Sequence, residues 1–289
     1  MEIEQEVRDF LTSRRARITP QRAGLRHVGG SRRVPGLRRE ELAMLAGVSV
    51  EYYTRMERGR IGGASDGVLD AISRVLELSD DERAHLYDLA RNANGAPLRV
   101  RAQPSTPITA SVQQVIDSMS VPAVIISERL DLLAANHLGR MLYAMVLDSA
   151  EQPANFSRFV FLDPRAAGFY VDHDDAKDFV VAVLRAASGR DPLDRATSAL
   201  VGELSARSAD FRGRWARHEV RRHSSGRKSI MHPVVGRLDL AYDDFTLPGD
   251  PHTSITTYTA DPGSPTADGL VLLASWEHSA QSARHEDVS

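Results

Sequence analysis

Apolar residues recur at helical spacing in the N-terminal part of the chain, where Ile3, Val7 and Phe10 mark one face of a first helix. The same spacing, with capping residues such as Ser79 and Glu82, predicts four more short helices. The five predicted helices are one each at residues 2–15, 65–78 and 79–92, and two short helices within residues 37–59. Prolines and glycines interrupt residues 18–36, which we predict to be a long basic loop.

The pattern changes after residues 95–107, GAPLRVRAQPSTP, whose three prolines predict a linker. Beyond it, β-branched and alternating apolar residues predict strands at 121–126, 132–135, 229–233, 237–245 and 254–259, with helices at 174–187 and 194–205. The sequence thus predicts an all-α domain at 1–94 and an α+β domain with a mainly antiparallel sheet at 108–276. The polar residues 277–289 are expected to be disordered.

The composition excludes several classes of protein. A chain of 289 residues suits two domains, and the absence of cysteine excludes a disulfide framework, a zinc ribbon, an iron–sulfur cluster and a thiol nucleophile. No apolar run reaches the ~18 residues that cross a bilayer. The acidic, amphipathic start is unlike a signal peptide. We therefore expect a soluble, cytoplasmic protein that has no membrane partner.

The net charge of −3 hides an uneven distribution along the chain. Residues 8–60 hold 13 arginines against five acidic residues, a net charge of +8, whereas residues 102–289 hold 18 basic and 24 acidic residues, or −6. A basic module joined to an acidic remainder favours polyanion binding by the N-terminal domain. The alternative to polyanion binding is a genomic preference for arginine over lysine. It explains why only Lys177 and Lys228 are lysines, but not why the excess of positive charge lies in residues 8–60.

The most specific motif is residues 38–59, RREELAMLAGVSVEYYTRMERG. Gly47 stands where the chain must turn sharply, and Ser49 is suited to cap the helix that follows. Tyr53 and Met56, three residues apart, face the core. A plain helical hairpin can show any one of these features. Their mutual register inside a basic segment favours a helix–turn–helix, whose second helix enters the major groove of DNA.

The segment LRREELAMLAGVSVEYYTRMERGR resembles the lambda-repressor-like helix–turn–helix of the XRE (Cro/CI-like) regulators, and RRVPG with Tyr52–Tyr53 is similar to their MmyB-like subgroup. PAVIISERLDLLAANHLGRML, RFVFLDPRA and HPVVGRLDLAYDDFTLPGDP resemble that subgroup's C-terminal domain. The resemblance covers roughly residues 1–275 and implies a PAS-like, ligand-binding second domain. The chain departs from the subgroup at Asp172–His173, where the family has Asp-Trp. If that tryptophan lines the ligand site, the ligand or its affinity differs here.

With Tyr53 and Met56 facing inward, the outer face of the second helix is predicted to contact bases through Ser49, Val50, Glu51, Thr54 and Arg55. Arg55 suits guanine, Glu51 cytosine and Val50 the thymine methyl group. The predicted phosphate contacts are Arg32, Arg33, Arg38, Arg39, Arg58 and Arg60. Arg32 and Arg33 form either an arm for the minor groove or a disordered basic loop.

Apolar, aromatic and polar residues of the second domain predict a ligand pocket lined by Val124, Ile126, Phe159, Phe161, Trp215, His218, His232 and Tyr242. Such a pocket favours a small apolar or lipid-like effector, although a solid core accounts for the same residues equally well. The histidines lack the spacing of metal ligands and no catalytic motif is present, so we expect no metal, no cofactor and no enzyme. Asn136, at the end of a strand, is predicted to cap the next helix.

These observations predict a sequence-specific regulator of transcription that binds double-stranded DNA and works at the bacterial nucleoid. One short recognition helix reads few base pairs, so adequate specificity calls for a homodimer on paired half-sites. The alternative is a ligand-sensing or protein-interaction module with a degenerate helix–turn–helix that does not bind DNA.

Overall fold

The computed structural model describes residues 2–25, 36–94, 108–149, 151–220, 225–247 and 250–286. The chain divides into two compact units. Unit 1 comprises residues 1–101, 181–202 and 212–222, and unit 2 comprises residues 102–180, 203–211 and 223–289. The predicted linker at 95–107 lies outside the described residues, and so does the part of the basic loop that carries Arg32 and Arg33.

The first five helices are α1 (Glu2–Arg17), α2 (Arg39–Ala46), α3 (Val50–Glu57), α4 (Asp66–Val75) and α5 (Asp80–Ala93). The later helices are α6 (Ala110–Asp117), α7 (His137–Leu142), α8 (Ala144–Leu147), α9 (Phe156–Leu162), α10 (Ala166–Phe169), α11 (His173–Arg190), α12 (Arg195–Arg207), α13 (Ala209–Trp215) and α14 (Pro265–Glu286). The strands are β1 (Ala123–Ser127), β2 (Leu132–Ala135), β3 (Ser225–His232), β4 (Gly236–Leu247) and β5 (Asp250–Thr259).

Unit 1 contains the predicted five-helix arrangement, α1 to α5. Its core is formed by the apolar faces that the helical spacing predicted, including Val7, Phe10, Leu11, Leu42, Ala43, Tyr53, Met56, Ile72 and Leu86. Gly47 ends α2 in the left-handed region with φ 69°, and the Ser49 hydroxyl accepts a hydrogen bond from the Tyr52 amide at 3.1 Å. This turn and cap place α3 across α2, which confirms the helix–turn–helix.

Gly59, just after α3, shows why this turn requires glycine. Its φ is 99°, and a Cβ atom at this position would lie 2.4 Å from the Glu4 carbonyl oxygen of α1. Because that contact involves backbone, it cannot be relieved by rotating a side chain. The end of α3 is therefore packed directly against the start of α1.

Unit 2 is built on a five-stranded sheet with the order β2-β1-β5-β4-β3, in which every neighbouring pair is antiparallel. This confirms the α+β prediction with an antiparallel sheet. Strand β1 is buried along its whole length, as expected for an apolar strand with neighbours on both sides. Ala123 and Ile125 pack with Ile116 of α6 on one face of the sheet. Ile126 faces the other side, where it lies near Phe156 of α9 and Phe179 of α11.

Asn136 caps α7 as predicted, because its side-chain oxygen accepts from the Gly139 amide at 2.8 Å. The same oxygen accepts from the Ala123 amide at 3.0 Å, and the side-chain nitrogen donates to the Val121 carbonyl at 2.7 Å. One buried amide side chain thus fixes β1, β2 and α7 to each other.

Helix α14 was not predicted from the sequence. It packs on β4, where a Cβ atom at Gly269 would lie 2.9 Å from the Leu238 side chain, and it buries Leu273. It continues to Glu286, into the polar segment that the sequence predicts to be disordered. Among the described residues, no helix combines the length and apolar character needed to span a membrane.

Candidate nucleic-acid interface and ligand cavity

A cleft of about 790 Å³ lies on the exposed side of α3, within unit 1. Its walls hold four of the five residues predicted to contact bases, Arg55 among them, together with four further arginines. The lining residues are Glu4, Arg8, Thr12, Arg39, Val50, Glu51, Thr54, Arg55, Glu57, Arg58 and Arg60. The opposite side of α3 is formed by Tyr53 and Met56, which are buried in the core. One short helix therefore anchors itself by one face and presents a basic, polar face to solvent.

Two predicted DNA-binding residues lie beside this cleft and do not line it. Ser49 is exposed but caps α3 through its hydroxyl, and Arg38 is the N-cap residue of α2, with its amide donating to Glu41 at 2.7 Å. Arg55 is exposed and its guanidinium lies 5.0 Å from the centre of the Tyr52 ring, a cation–π geometry. This contact restricts the orientation of Arg55.

Glu57, in the last turn of α3, is only 1% exposed and forms the centre of a group that we call the Glu57 clamp. Arg15 of α1 donates to both of its carboxylate oxygens, at 2.6 and 3.0 Å, and Thr12 donates at 3.0 Å. Arg39 of α2 donates to the same two oxygens at 3.2 and 3.3 Å. The Glu57 clamp thus ties the end of α3 to α1 and α2.

Burial of the Glu57 carboxyl opposes its ionisation, but the hydrogen bonds and charges of Arg15 and Arg39 outweigh this effect and lower its pKa. Glu57 is therefore ionised at neutral pH. Burial raises the pKa of the neighbouring Tyr53 hydroxyl, and the charge of Glu57 adds to that rise. Sequence reasoning missed Glu57, although its position four residues after Tyr53 put it on the buried face.

Arg8 and Thr12 of α1 were also missed as members of the cleft. They are distant in sequence from α3, and only the Glu57 clamp and the close approach at Gly59 bring them beside it. The spacing of exposed residues on α1, four apart, places both on one helical face. Their contribution to the cleft depends on tertiary contacts and could not be predicted from α1 alone.

Unit 2 contains a cavity of about 280 Å³ on the sheet face opposite α6. Apolar and aromatic side chains form most of its wall: Ile126, Leu130, Phe156, Val160, Tyr170, Val171, Ala176, Phe179, Val180, Tyr242 and Tyr258. The polar members are Asp172, Asp175, Arg227, Lys228 and Ser229. Asp172, Asp175 and Arg227 are exposed, so charges of both signs stand at the rim while the interior is apolar.

The amino group of Lys228, on β3, lies among three tyrosines inside this cavity. Its Nζ is 4.9 Å from the centre of the Tyr242 ring, 5.0 Å from that of Tyr258 and 5.9 Å from that of Tyr143. The Tyr143 and Tyr258 hydroxyls lie 3.4 and 3.5 Å from Nζ. Burial lowers the pKa of Lys228 to about 8, and the negative charge of Asp244 offsets part of that effect.

The tyrosines around Lys228 belong to a larger aromatic cluster. The Tyr143 ring is fully buried and lies 4.9 Å from Phe156, 6.1 Å from Phe169 and 5.5 Å from Tyr258 between ring centres. Burial raises the pKa of both Tyr143 and Tyr258, so both hydroxyls stay protonated at neutral pH. Sequence reasoning missed Lys228; the only signal was a rare lysine within an arginine-rich chain.

Of the eight residues predicted to line the pocket, Ile126 and Tyr242 lie in the cavity wall and the other six lie elsewhere. Within unit 2, Val124 is covered by α7, Phe159 packs on Phe169, Phe161 packs on Phe211, and the His232 ring hydrogen-bonds the Met141 carbonyl at 3.2 Å. Trp215 and His218 belong to unit 1, where the Trp215 ring centre lies 4.0 Å from the Arg185 guanidinium and His218 is 3.7 Å from Glu6. The apolar and aromatic pattern of the sequence predicted that these residues are buried. It does not distinguish a residue that packs in the core from one that lines a cavity.

Asp172 and His173, at the predicted departure from the resembling subgroup, stand at the edge of the cavity. Asp172 is in its wall, and His173 stacks on Tyr170 with the ring planes 6° apart. The His173 Nε2 atom is 2.9 Å from the Val160 carbonyl oxygen. The His173 ring thus supports two residues of the cavity wall, Tyr170 and Val160. Among the described residues, no group of three or more histidine and carboxylate side chains is arranged to hold a metal ion.

Two family models match the chain. Residues 9–86 match a helix–turn–helix domain, and residues 108–273 match the MmyB-like transcription regulator ligand binding domain. A comparison with curated proteins finds no significant match.

A helix–turn–helix with a basic exposed face, followed by a ligand-binding domain that contains a cavity, defines a ligand-sensing DNA-binding regulator of transcription. The second match covers more than half of the chain, and the chain belongs to the family of MmyB-like transcription regulators. DNA and a small-molecule effector are accordingly its partners. Both matches are to families of transcription regulators, not to families of enzymes.

Proposed function

We propose that this regulator binds double-stranded DNA in a sequence-specific manner by placing α3 in the major groove. Val50, Glu51, Thr54 and Arg55 contact base edges there, and Ser49 reaches the groove at the start of the helix. The observation that carries this proposal is the shared cleft, in which these side chains and the flanking arginines face solvent on the side of α3 opposite its buried face.

The arginines around α3 position the duplex through its phosphates. Arg58 and Arg60 follow the helix and are exposed, and Arg39 is held beside them by the Glu57 clamp. Arg8 adds a further cation from α1, and Arg38 stands at the start of α2. These contacts supply affinity without sequence preference, whereas the α3 residues supply the preference. Arg32 and Arg33 remain candidates for the same role.

The effector that we propose for the cavity is a small apolar or lipid-like molecule with one polar end. Phe156, Val160 and Phe179 offer an apolar wall, and the amine of Lys228 is a polar group beside it that can contact the polar end. A cavity of about 280 Å³ is near the lower end of the range for small-molecule sites. His173 supports this wall by stacking on Tyr170.

We further propose that the protein acts at the nucleoid as a homodimer that contacts two half-sites about one turn of DNA apart, roughly 34 Å. A linker at 95–107 would join a DNA-binding domain at 1–94 to a domain at 108–276 that carries both the effector cavity and the dimer contact. One eight-residue recognition helix touches too few base pairs to select an operator alone, which supports the paired arrangement.

The DNA proposal is tested by selecting duplexes from a random library with the full-length protein, followed by anisotropy titrations on the selected duplex and a shuffled duplex of equal composition. We expect the selected duplex to bind at least about 10³-fold more tightly at physiological salt. Equal affinities would support the alternative, a sensor with a degenerate helix–turn–helix.

Native mass spectrometry of the purified protein tests the proposed homodimer and the proposed effector cavity together. We expect the mass of two chains, each with a retained apolar molecule or able to bind the hydrophobic probe N-phenyl-1-naphthylamine. A monomer would contradict the dimer. An empty protein that also fails to bind the probe would contradict the effector cavity.

A further inference from the structure

The amine of Lys228 has an environment that differs from that of an ordinary ion-paired lysine. Among the residues that the structure describes, no carboxylate lies within ion-pair distance of its Nζ, which instead faces the rings of Tyr143, Tyr242 and Tyr258. The side chain is partly buried and lines the cavity, so a small molecule in the cavity reaches it. A lysine with these properties is suited to nucleophilic chemistry.

The cavity favours the reactive, neutral form of this amine. Burial holds the pKa of Lys228 at about 8, with Asp244 as the charge that opposes the effect. At about pH 7.5 roughly a quarter of the Lys228 amines are therefore neutral, against about one in a thousand for a lysine of ordinary pKa. The nearby Tyr143 and Tyr258 hydroxyls remain protonated, because burial raises the pKa of both.

We propose that Lys228 captures an aldehyde with an apolar body as a reversible Schiff base, so that the effector site of this regulator binds its ligand covalently. The inference rests on the proposed effector function of the same cavity. It identifies the polar end of the effector as a carbonyl group and the bond to the protein as an imine.

The reaction is balanced without any oxidant or reductant. The nitrogen lone pair of neutral Lys228 attacks the carbonyl carbon, the C=O π electrons move to oxygen, and one amine proton follows to give a carbinolamine. The C–O bond then breaks as the nitrogen lone pair forms the C=N bond. The oxygen, which already carries one amine proton, takes a second proton from solvent and leaves as water, so that the product is a protonated imine; release of its remaining N–H proton to solvent gives the neutral imine.

The three tyrosines assist both steps. The Tyr143 and Tyr258 hydroxyls, 3.4 and 3.5 Å from Nζ, are placed to donate hydrogen bonds to the oxygen of the carbinolamine and to the departing water. The ring faces stabilise a protonated imine as they stabilise the ammonium, because its positive charge lies at nearly the same position. Phe156, Val160 and Phe179 cover the apolar body of the aldehyde.

The test uses full-length protein with decanal as the probe and sodium cyanoborohydride, which reduces an imine to a stable secondary amine. Peptide mapping is expected to find a decyl group on Lys228, and it separates this label from any on the α-amino group of the protein, whose pKa is also near 8. Labelling of Lys228 should exceed that of Lys177, the other lysine of the chain, at least about tenfold at neutral pH. Its rate should rise between about pH 6 and about pH 8, where the neutral amine forms.

Two variants provide the controls. Lys228→Arg keeps a cation in the cavity and should abolish labelling. The other lysine, Lys177, pairs with Asp210 at 2.9 Å, and Lys177→Arg should leave the labelling of Lys228 unchanged. Binding of N-phenyl-1-naphthylamine by Lys228→Arg shows that this variant is folded. Equal labelling of Lys177 and Lys228, or displacement of the naphthylamine by decanal without trapping, would overturn the Schiff base and leave the effector cavity intact. A wild-type protein that neither traps decanal nor binds the naphthylamine would contradict both proposals.

Discussion

The cleft of unit 1 and the cavity of unit 2 are held in place in different ways. In the cleft, the side chains proposed to contact DNA are exposed, while buried residues such as Tyr53 and Glu57 keep α3 in position. In the cavity, the residues proposed to contact the effector are themselves part of the packed core, as Tyr258 illustrates. A substitution of an exposed residue of the cleft should therefore change binding alone, whereas a substitution in the cavity should change binding and stability together.

The largest effect is expected from Tyr143→Ala in the aromatic cluster beside the cavity. The ring is fully buried against Phe156, Phe169 and Tyr258, so its removal should lower the free energy of unfolding by about 4 kcal/mol. Guanidinium denaturation followed by circular dichroism measures this loss. Tyr143→Phe keeps the ring and should lower the free energy of unfolding by less than about 1.5 kcal/mol. If both variants lost the same amount, the hydroxyl and not the ring would be what stabilises the protein.

A slightly smaller effect is expected from Glu57→Gln. The variant leaves the partly buried Arg15 without its carboxylate and should destabilise the protein by about 3 kcal/mol. Glu51→Gln is the matched control, because Glu51 is exposed on the same helix and its change should leave stability within about 0.5 kcal/mol. If Glu57→Gln were equally neutral under guanidinium denaturation, the Glu57 clamp would not be what holds α3.

The pH dependence of stability separates the two sites further. The pKa of Lys228 falls from 10.5 to about 8 on folding, so the unfolded chain binds the additional proton between these pH values. Stability should therefore rise with pH in this range. Between about pH 7 and about pH 9.5, the wild type should gain roughly 2 kcal/mol over Lys228→Met, measured by denaturation at each pH. Lys177→Met should follow the wild type, and a constant difference between wild type and Lys228→Met would show that burial does not shift this amine.

The smallest effect on stability is expected from Arg60→Ala in the cleft, which should remain within about 0.5 kcal/mol of the wild type because the side chain is exposed. The same variant should weaken binding to selected and shuffled duplexes alike and reduce the slope of log affinity against log salt by about one. Anisotropy titrations over a range of salt measure this slope. Arg91→Ala removes an exposed arginine of α5 that does not line the cleft, and it should change neither quantity.

The same contrast explains what could be predicted from the sequence. The helix–turn–helix is formed by one continuous segment, so the spacing of Gly47, Ser49, Tyr53 and Met56 was sufficient to predict the fold and the outer face of α3. The strand patterns likewise predicted the antiparallel sheet of unit 2. Both predictions depend on local periodicity, which a single sequence displays directly.

The cavity could not be predicted in the same way, because its wall is assembled from segments that are far apart in the sequence. Ile126, Phe179, Lys228 and Tyr258 come from three strands and a helix, and a buried aromatic residue has the same pattern whether it faces a core or a cavity. For this reason, six of the eight residues predicted to line the pocket do not lie in its wall, and only Ile126 and Tyr242 do. Helix α14 was missed as well, since its apolar residues show little separation into faces.

The central claim is that the outer face of α3 reads base sequence, and Arg55→Ala tests it most directly. Anisotropy titrations should compare wild type, Arg55→Ala and Arg60→Ala on the selected duplex, the shuffled duplex and single-base variants of the selected duplex. Base reading by α3 predicts that Arg55→Ala loses about 1–3 kcal/mol of binding free energy on the selected duplex and little on the shuffled one, and that it loses the preference at one base position. Equal losses on selected and shuffled duplexes for Arg55→Ala, as expected for Arg60→Ala, would contradict it.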